Sequence, residues 1–221
     1  MVIELFDDPN MYANKPMLVK TANGWEVSGY QSYELRKDYV GSKSDKFQML
    51  VKPLRMVRGK TFLDLGGANG MYCFLARLSG ATEVTIVDID DNHLDVVRKL
   101  SDHYGFNIHV VKENIADITE RAQVVLALAL VHWMYSCTST FGSLEKLIGF
   151  LGELTEETLI VEWISPDDPA IEFLKHIEFN KETIEEEYSF ENFRKAISKY
   201  FREVRFIGDV SETRGLYICT K

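Results

Sequence analysis

Cysteine is scarce in this sequence. Its 221 residues hold three, Cys73, Cys137 and Cys219, far apart and without a CxxC pair. That argues against a disulfide framework and a structural zinc site, and it fits a reducing compartment. Long hydrophobic runs are missing too. VVLALALV (124–131) has eight residues, where a bilayer needs about 20, so it reads as a buried strand. The opening residues, MVIELFDDPN, lack the basic stretch and apolar run of a secretory signal. These absences lead us to expect a soluble, cytoplasmic protein without membrane contact. Positive charge is also short: 25 Lys and Arg stand against 34 Asp and Glu, a net charge of −9. A phosphate backbone calls for a basic face, so bulk nucleic-acid binding is disfavoured. A local patch in the front segment, Lys37, Lys43, Lys46, Lys52, Arg55 and Arg58, keeps an RNA acceptor open as an alternative. What is present is globular: 46% of the residues are hydrophobic, enough to bury a core.

No repeat or low-complexity segment stands out. Residues 1–24 read as a loose lead-in. Helices are predicted over 30–40 and 43–58, the second interrupted near Pro53. Together, residues 1–58 are expected to form a helical lead-in ahead of a main domain at 59–221. From there strands alternate with helices. Strands are predicted at 61–65, 83–88, 107–112, 123–131 and 158–164, and helices at 71–79, 90–105, 140–154, 168–179 and 189–201. Two last strands, 203–209 and 214–220, are joined by a short polar turn and should pair antiparallel. This alternation specifies an α/β fold, a doubly wound, mostly parallel sheet with helices on both faces. Ligands bind such sheets outside the carboxyl ends of the strands.

The sharpest motif is LDLGGANG (63–70), between a strand and a helix. Gly66, Gly67 and Gly70 permit a tight turn and close backbone approach to a ligand. Asp64, just before them, favours a cationic ligand group and is awkward beside a pyrophosphate. The spacing is GGxxG and not the dinucleotide GxGxxG, and no Walker lysine follows. Asp88 ends the next strand, near the ~20-residue spacing of a ribose-binding acid.

LDLGGANG resembles the first motif of the class I S-adenosylmethionine-dependent methyltransferases through Leu63, Asp64, Gly66 and Gly70. The resemblance is good over residues 59–164 and looser over the rest. It implies a seven-stranded sheet in the order 3-2-1-4-5-7-6 with one antiparallel strand, and S-adenosylmethionine as cofactor. It places the methionine part against Asp64, Gly66, Gly67, Asn69 and Gly70, the ribose hydroxyls on Asp88, and the adenine against Ile89, Asn114 and Ile115. It makes the front segment a cap over the cofactor, with Gln31 and Arg36 reaching the methionine carboxylate.

The acceptor end lies at the next two strand ends. His132, in LALVHWMYS (128–136), leaves the fourth strand where a methyl group would be delivered. An imidazole near its ordinary pKa suits removal of a hydroxyl proton. Trp133 and Tyr135 are candidate pocket walls. Glu162 is an acid inside an apolar strand, so it should meet a donor or face the cleft. With His132 it forms the candidate catalytic pair. Asp167 and Asp168 precede Pro169 and read as a helix start, or else as a divalent-metal or sugar-hydroxyl site. His176 is a further substrate candidate, and Arg214 is ambiguous. No metal is expected. No NPPY-like tetrad follows the fourth strand, and no cysteine pair suits cytosine methylation, which leaves a hydroxyl acceptor. The segments EWISPDDPAI, YSFENFRKAISKYF and RGLYICT resemble the rhamnose O-methyltransferases that cap glycans in large algal viruses. The expected reaction is O-methylation of a sugar hydroxyl, a deoxyhexose such as rhamnose in a glycan. The alternatives are an RNA methyltransferase and a non-catalytic S-adenosylmethionine-binding protein.

Overall fold

The computed structural model describes residues 15–137, 140–174 and 187–221. The described chain begins with four short strands, β1 (Met17–Lys20), β2 (Trp25–Ser28), β3 (Tyr33–Arg36) and β4 (Tyr39–Gly41), which pair antiparallel in sequence order. This corrects the helix expected over 30–40. Tyr33 and Leu35 are buried while Glu34 and Arg36 are exposed, a period of two that only a strand satisfies. The lead-in before it also contains a strand, β1. Helix α1 (Asp45–Val51) and a 3-10 turn (Pro53–Val57) occupy the second predicted helix and break near Pro53.

The main sheet contains β5 (Thr61–Leu65), β6 (Glu83–Asp88), β7 (His109–Lys112), β8 (Ala122–Ala127), β9 (Thr155–Ile164), β10 (Glu203–Ser211) and β11 (Arg214–Thr220). Its order is β7-β6-β5-β8-β9-β11-β10. That is the seven-stranded 3-2-1-4-5-7-6 order. The five inner-to-edge strands β5 to β9 pair parallel. β11 runs antiparallel to both β9 and β10.

Alternate residues of each strand build two cores. Phe62, Ile86, Leu126, Ile160 and Leu216 face α2 (Met71–Leu78) and α3 (Asp91–Tyr104), and the small sheet packs on that side. Leu63, Val87, Val125, Val161 and Trp163 face the other side. There they meet α4 (Val131–Cys137), α5 (Leu144–Leu154), α6 (Pro169–Leu174) and α7 (Phe190–Tyr200). The fourth strand is shorter than predicted: β8 stops at Ala127, and Val131 already starts α4. His132 is therefore a helix residue and not a strand end.

Candidate active site

The β5–α2 turn is built on glycine. Gly66 (φ 66°) and Gly70 (φ 80°) occupy the left-handed region. At Gly67 a Cβ would lie 2.7 Å from the Ile86 side chain and 2.9 Å from the Asp64 carboxyl carbon, so a larger residue would have to displace one of them. Ala68 shares the left-handed conformation (φ 47°) without a glycine's freedom, a strain of about 1 kcal/mol or more. The strained residue turns its N–H to Asp88 Oδ2 at 2.9 Å. The Asp90 N–H donates to the other oxygen, Oδ1, at 3.0 Å. Asp88 is thus fixed at the end of β6, with Ile89 beside it half exposed.

A cleft of about 250 Å³ opens next to this turn. Asp64, Gly66, Met71 and Tyr72 form one wall. Leu128 and Ala129 after β8 form another, and Tyr30, Gln31, Ser42, Ser44 and Lys46 of the front segment close it. Asp64 is 2% exposed. Among the described residues its carboxylate has only the Cys73 thiol as a donor, Sγ to Oδ2 at 3.5 Å. Burial raises its pKa to about 7, only partly opposed by the thiol contact.

The front segment is fastened to the loop by three bonds. Tyr33 donates its hydroxyl to the Asn69 carbonyl at 2.6 Å. Asn69 Nδ2 donates to the Gln31 carbonyl at 2.7 Å. The Met71 N–H at the start of α2 donates to Gln31 Oε1 at 3.2 Å. Gln31 therefore sits at the candidate cofactor loop. Arg36 does not: it pairs with Glu34 at 3.2 Å and lies over the Tyr39 ring at 5.3 Å. This corrects its expected reach, because in a strand its side chain shares the exposed face with Glu34. Asn114 caps a short 3-10 turn, its Oδ1 accepting from the Ala116 N–H at 3.1 Å, and Ile115 packs half-buried behind it.

At the end of β9 the Glu162 side chain is fully buried. Its Oε2 accepts from Lys46 Nζ at 2.7 Å and from the Ala129 N–H at 2.8 Å. Ala129 is a second left-handed non-glycine, φ 46°. Oε1 has no partner among the described residues. The donor expected for Glu162 is thus Lys46, a member of the expected basic patch. Its side chain is only 18% exposed and paired with Glu162, so it is not free to serve in that patch.

His132 is 2% exposed and its Nδ1 has no partner among the described residues. Burial, with the Arg214 charge next, lowers its pKa to about 3. The expectation of an imidazole near its ordinary pKa is overturned. It is a neutral group at any physiological pH.

Several substrate candidates turn out to be structural. Both Asp168 oxygens are occupied. Arg214 Nε and Nη2 clamp them at 2.8 Å each, Thr213 Oγ1 donates to Oδ2 at 2.5 Å, and the Ala170 N–H donates to Oδ1 at 2.9 Å. These donors hold the Asp168 pKa well below the usual carboxylate range. The clamp fixes the β9–α6 loop to the start of β11, leaving no lone pair directed at a sugar. Tyr135 is buried against Tyr188, ring centroids 5.1 Å apart, and its hydroxyl donates to Glu187 at 3.3 Å. It is core and not a pocket wall. Asp167 is exposed and Trp133 half-buried. His176 lies outside the described residues. Among the described residues no group of three or more His, Cys, Asp or Glu could hold a metal ion, and no helix is long and apolar enough to cross a membrane.

No protein-family model and no curated protein matches the sequence. Solved structures do match the fold. The bifunctional kinase-methyltransferase WbdD is similar with a TM-score of 0.62 at 17% identity, over 80% of this chain and 40% of that one. The chain thus corresponds to less than half of WbdD. Magnesium protoporphyrin IX methyltransferase (ChlM) from Synechocystis PCC 6803, solved with bound S-adenosylmethionine, gives 0.59 at 13% identity, over 80% of this chain and 79% of that one. An O-methyltransferase family protein from Burkholderia thailandensis gives 0.55 at 16% identity, over 80% of this chain and 56% of that one. Strand order, glycine loop and these likenesses agree: the chain has the Rossmann-like fold of the S-adenosylmethionine-dependent methyltransferases.

Proposed function

We propose that this protein is an S-adenosylmethionine-dependent O-methyltransferase acting on a sugar hydroxyl, a deoxyhexose such as rhamnose in a glycan. The observation that carries the cofactor reading is Asp64, a buried carboxylate without a cationic partner among the described residues, in a cleft beside a turn with glycines at 66, 67 and 70. Such a group fits the ammonium of a methionine moiety, because a cation in a dry site relieves the cost of burying the charge. Asp88, already oriented by two backbone N–H groups, is suited to ribose hydroxyls. The half-exposed Ile89 offers an apolar face for adenine, and Ile115 and Asn114 flank it. Gln31 and Tyr33 of the front segment bond to the loop, which supports the front segment ahead of the domain at 59–221 as a cap.

When bound, the cofactor supplies a methyl group activated by a sulfonium. The chain's own residues then need chiefly to hold an acceptor in line and exclude water. Glu162, His132 and Trp133, around the ends of β8 and β9, are the residues for that end. The sugar reading is supported by Trp133, half-buried, and Asp167, exposed, near those strand ends. It is also supported by the net charge of −9, which disfavours a nucleic-acid acceptor, and by the resemblance to glycan-capping enzymes. The test is calorimetry with S-adenosylmethionine and S-adenosylhomocysteine, followed by transfer of labelled methyl to rhamnose-containing oligosaccharides and to RNA. Binding and labelled saccharide are expected. Binding of nicotinamide cofactors instead would remove the cofactor assignment. Label on RNA alone would remove the sugar. Cofactor binding without turnover on any acceptor would favour a binding protein.

A further inference from the structure

Two ionisable side chains line the cleft, Asp64 from the glycine-loop wall and Lys46 from α1. Lys46 is held by Glu162, whose Oε2 also takes the Ala129 N–H. A fully buried carboxylate with one unpartnered oxygen is expensive to maintain, and the left-handed Ala129 adds backbone strain. Neither feature is needed to build the sheet, since an apolar residue at position 162 would continue the run Leu159, Ile160, Val161. What the arrangement accomplishes is to fix one ammonium at the edge of the cleft. An ammonium has three N–H donors. Among the described residues one is engaged by Glu162 and no other bond from Lys46 is present.

We propose that Lys46 determines acceptor specificity: its ammonium, positioned by Glu162, donates to the acceptor oxygen and excludes amine acceptors. This rests on the methyltransferase reading. A fixed cation attracts an oxygen carrying partial or full negative charge and repels an ammonium, so an electronegative group is favoured at Lys46 and a cationic one at Asp64. Glu162 acts through Lys46 and is a positioning residue.

Small ions test the site without a known acceptor. Acetate and methylammonium are titrated into the full chain with and without saturating S-adenosylhomocysteine, and the Ala129 amide shift is followed by NMR. Acetate should shift this amide saturably, and methylammonium should not. Lys46→Met should weaken acetate binding about tenfold or more, the value of a charged hydrogen bond, and Lys46→Arg should retain most of it. Glu162→Gln removes the neutralising partner and should tighten acetate binding several-fold, a change that structural damage would not produce. If Lys46→Met unfolds, the double variant with Glu162→Gln leaves no unpaired charge and should still lack acetate binding. Acetate binding unchanged by Lys46→Met, weakened by Glu162→Gln, or matched by methylammonium overturns the proposal. Failure of S-adenosylhomocysteine to bind while acetate still binds through Lys46 would overturn the methyltransferase reading alone.

Discussion

The Cys73 thiol donates to Asp64 Oδ2 across 3.5 Å, from the first turn of α2 to the end of β5, with both groups buried. A thiol is a weak donor, and burial still holds the Asp64 pKa near 7 against 3.8 for a free side chain. Between these values the folded chain binds a proton that the unfolded chain has lost. Stability from this group therefore falls as pH rises from about 4 to 7. A cationic ligand reverses the preference and releases the proton. S-adenosylmethionine affinity should weaken as pH drops below 7, and calorimetry in buffers of different ionisation enthalpy should detect proton release. Asp64→Asn should raise stability above pH 7 by ~1–3 kcal/mol and abolish the proton release.

Asp88 tests the other end of the cofactor reading. Its oxygens are prepositioned by the Ala68 and Asp90 N–H groups. Asp88→Ala should weaken S-adenosylmethionine binding by on the order of 1–3 kcal/mol through lost charged hydrogen bonds. Affinity within a factor of two of the parent would show that the ribose lies elsewhere.

Legibility in the sequence followed the range of the interactions. The central strands β5, β8 and β9 are near-continuous apolar runs and the glycine turn is local, so both are legible in the sequence, although the end of β8 and the start of β9 differ from the expected bounds. Strand order came from the family resemblance, because local patterning does not encode which strands are neighbours. The front segment was misread: YQSYELRKDYV is rich in helix-tolerant charged residues, and its strand character depends on pairing with β2 and β4. Glu162 was expected to have a donor, but Lys46 lies 116 positions away. Likewise nothing near Asp168 indicated that Arg214, 46 residues on, would saturate it.

That clamp yields a stability prediction. Asp168 is 1% exposed but the Arg214 side chain is 28% exposed, so removing one partner of this part-buried pair costs about 1–3 kcal/mol. Asp168→Asn should approach that loss in urea denaturation, while cofactor affinity stays near the parent value. The folded-state pKa lies below 3.8, so the stabilisation is present above pH 4 and disappears as pH falls further through the folded value. A stable Asp168→Asn variant with impaired acceptor binding would return Asp168 to the substrate site.

His132 gives the most demanding test. Burial and the Arg214 charge set its pKa at about 3, against 6.5 for a free imidazole. Between pH 3 and 6.5 the unfolded chain binds a proton that the folded chain refuses, so this group makes stability rise with pH across that window. His132→Gln should flatten the rise between pH 5 and 7 by roughly 2 kcal/mol, which urea denaturation at the two pH values would show. Asp64 acts with the opposite sign over part of the same range, so the comparison must be made between variant and parent. The shift also constrains catalysis. A group that resists protonation until pH 3 is a weak general base, but its neutral nitrogen can accept a hydrogen bond from a hydroxyl and orient it. His132→Gln retains an acceptor and should keep turnover within about tenfold of the parent, whereas His132→Ala, which leaves a cavity and no acceptor, should lose roughly 10²-fold. The pH–rate profile should show no limb from this residue between pH 5 and 8. Losses of 10²–10⁴-fold in both variants, with a limb near pH 6.5 that disappears in each, would show that the imidazole takes the proton after all.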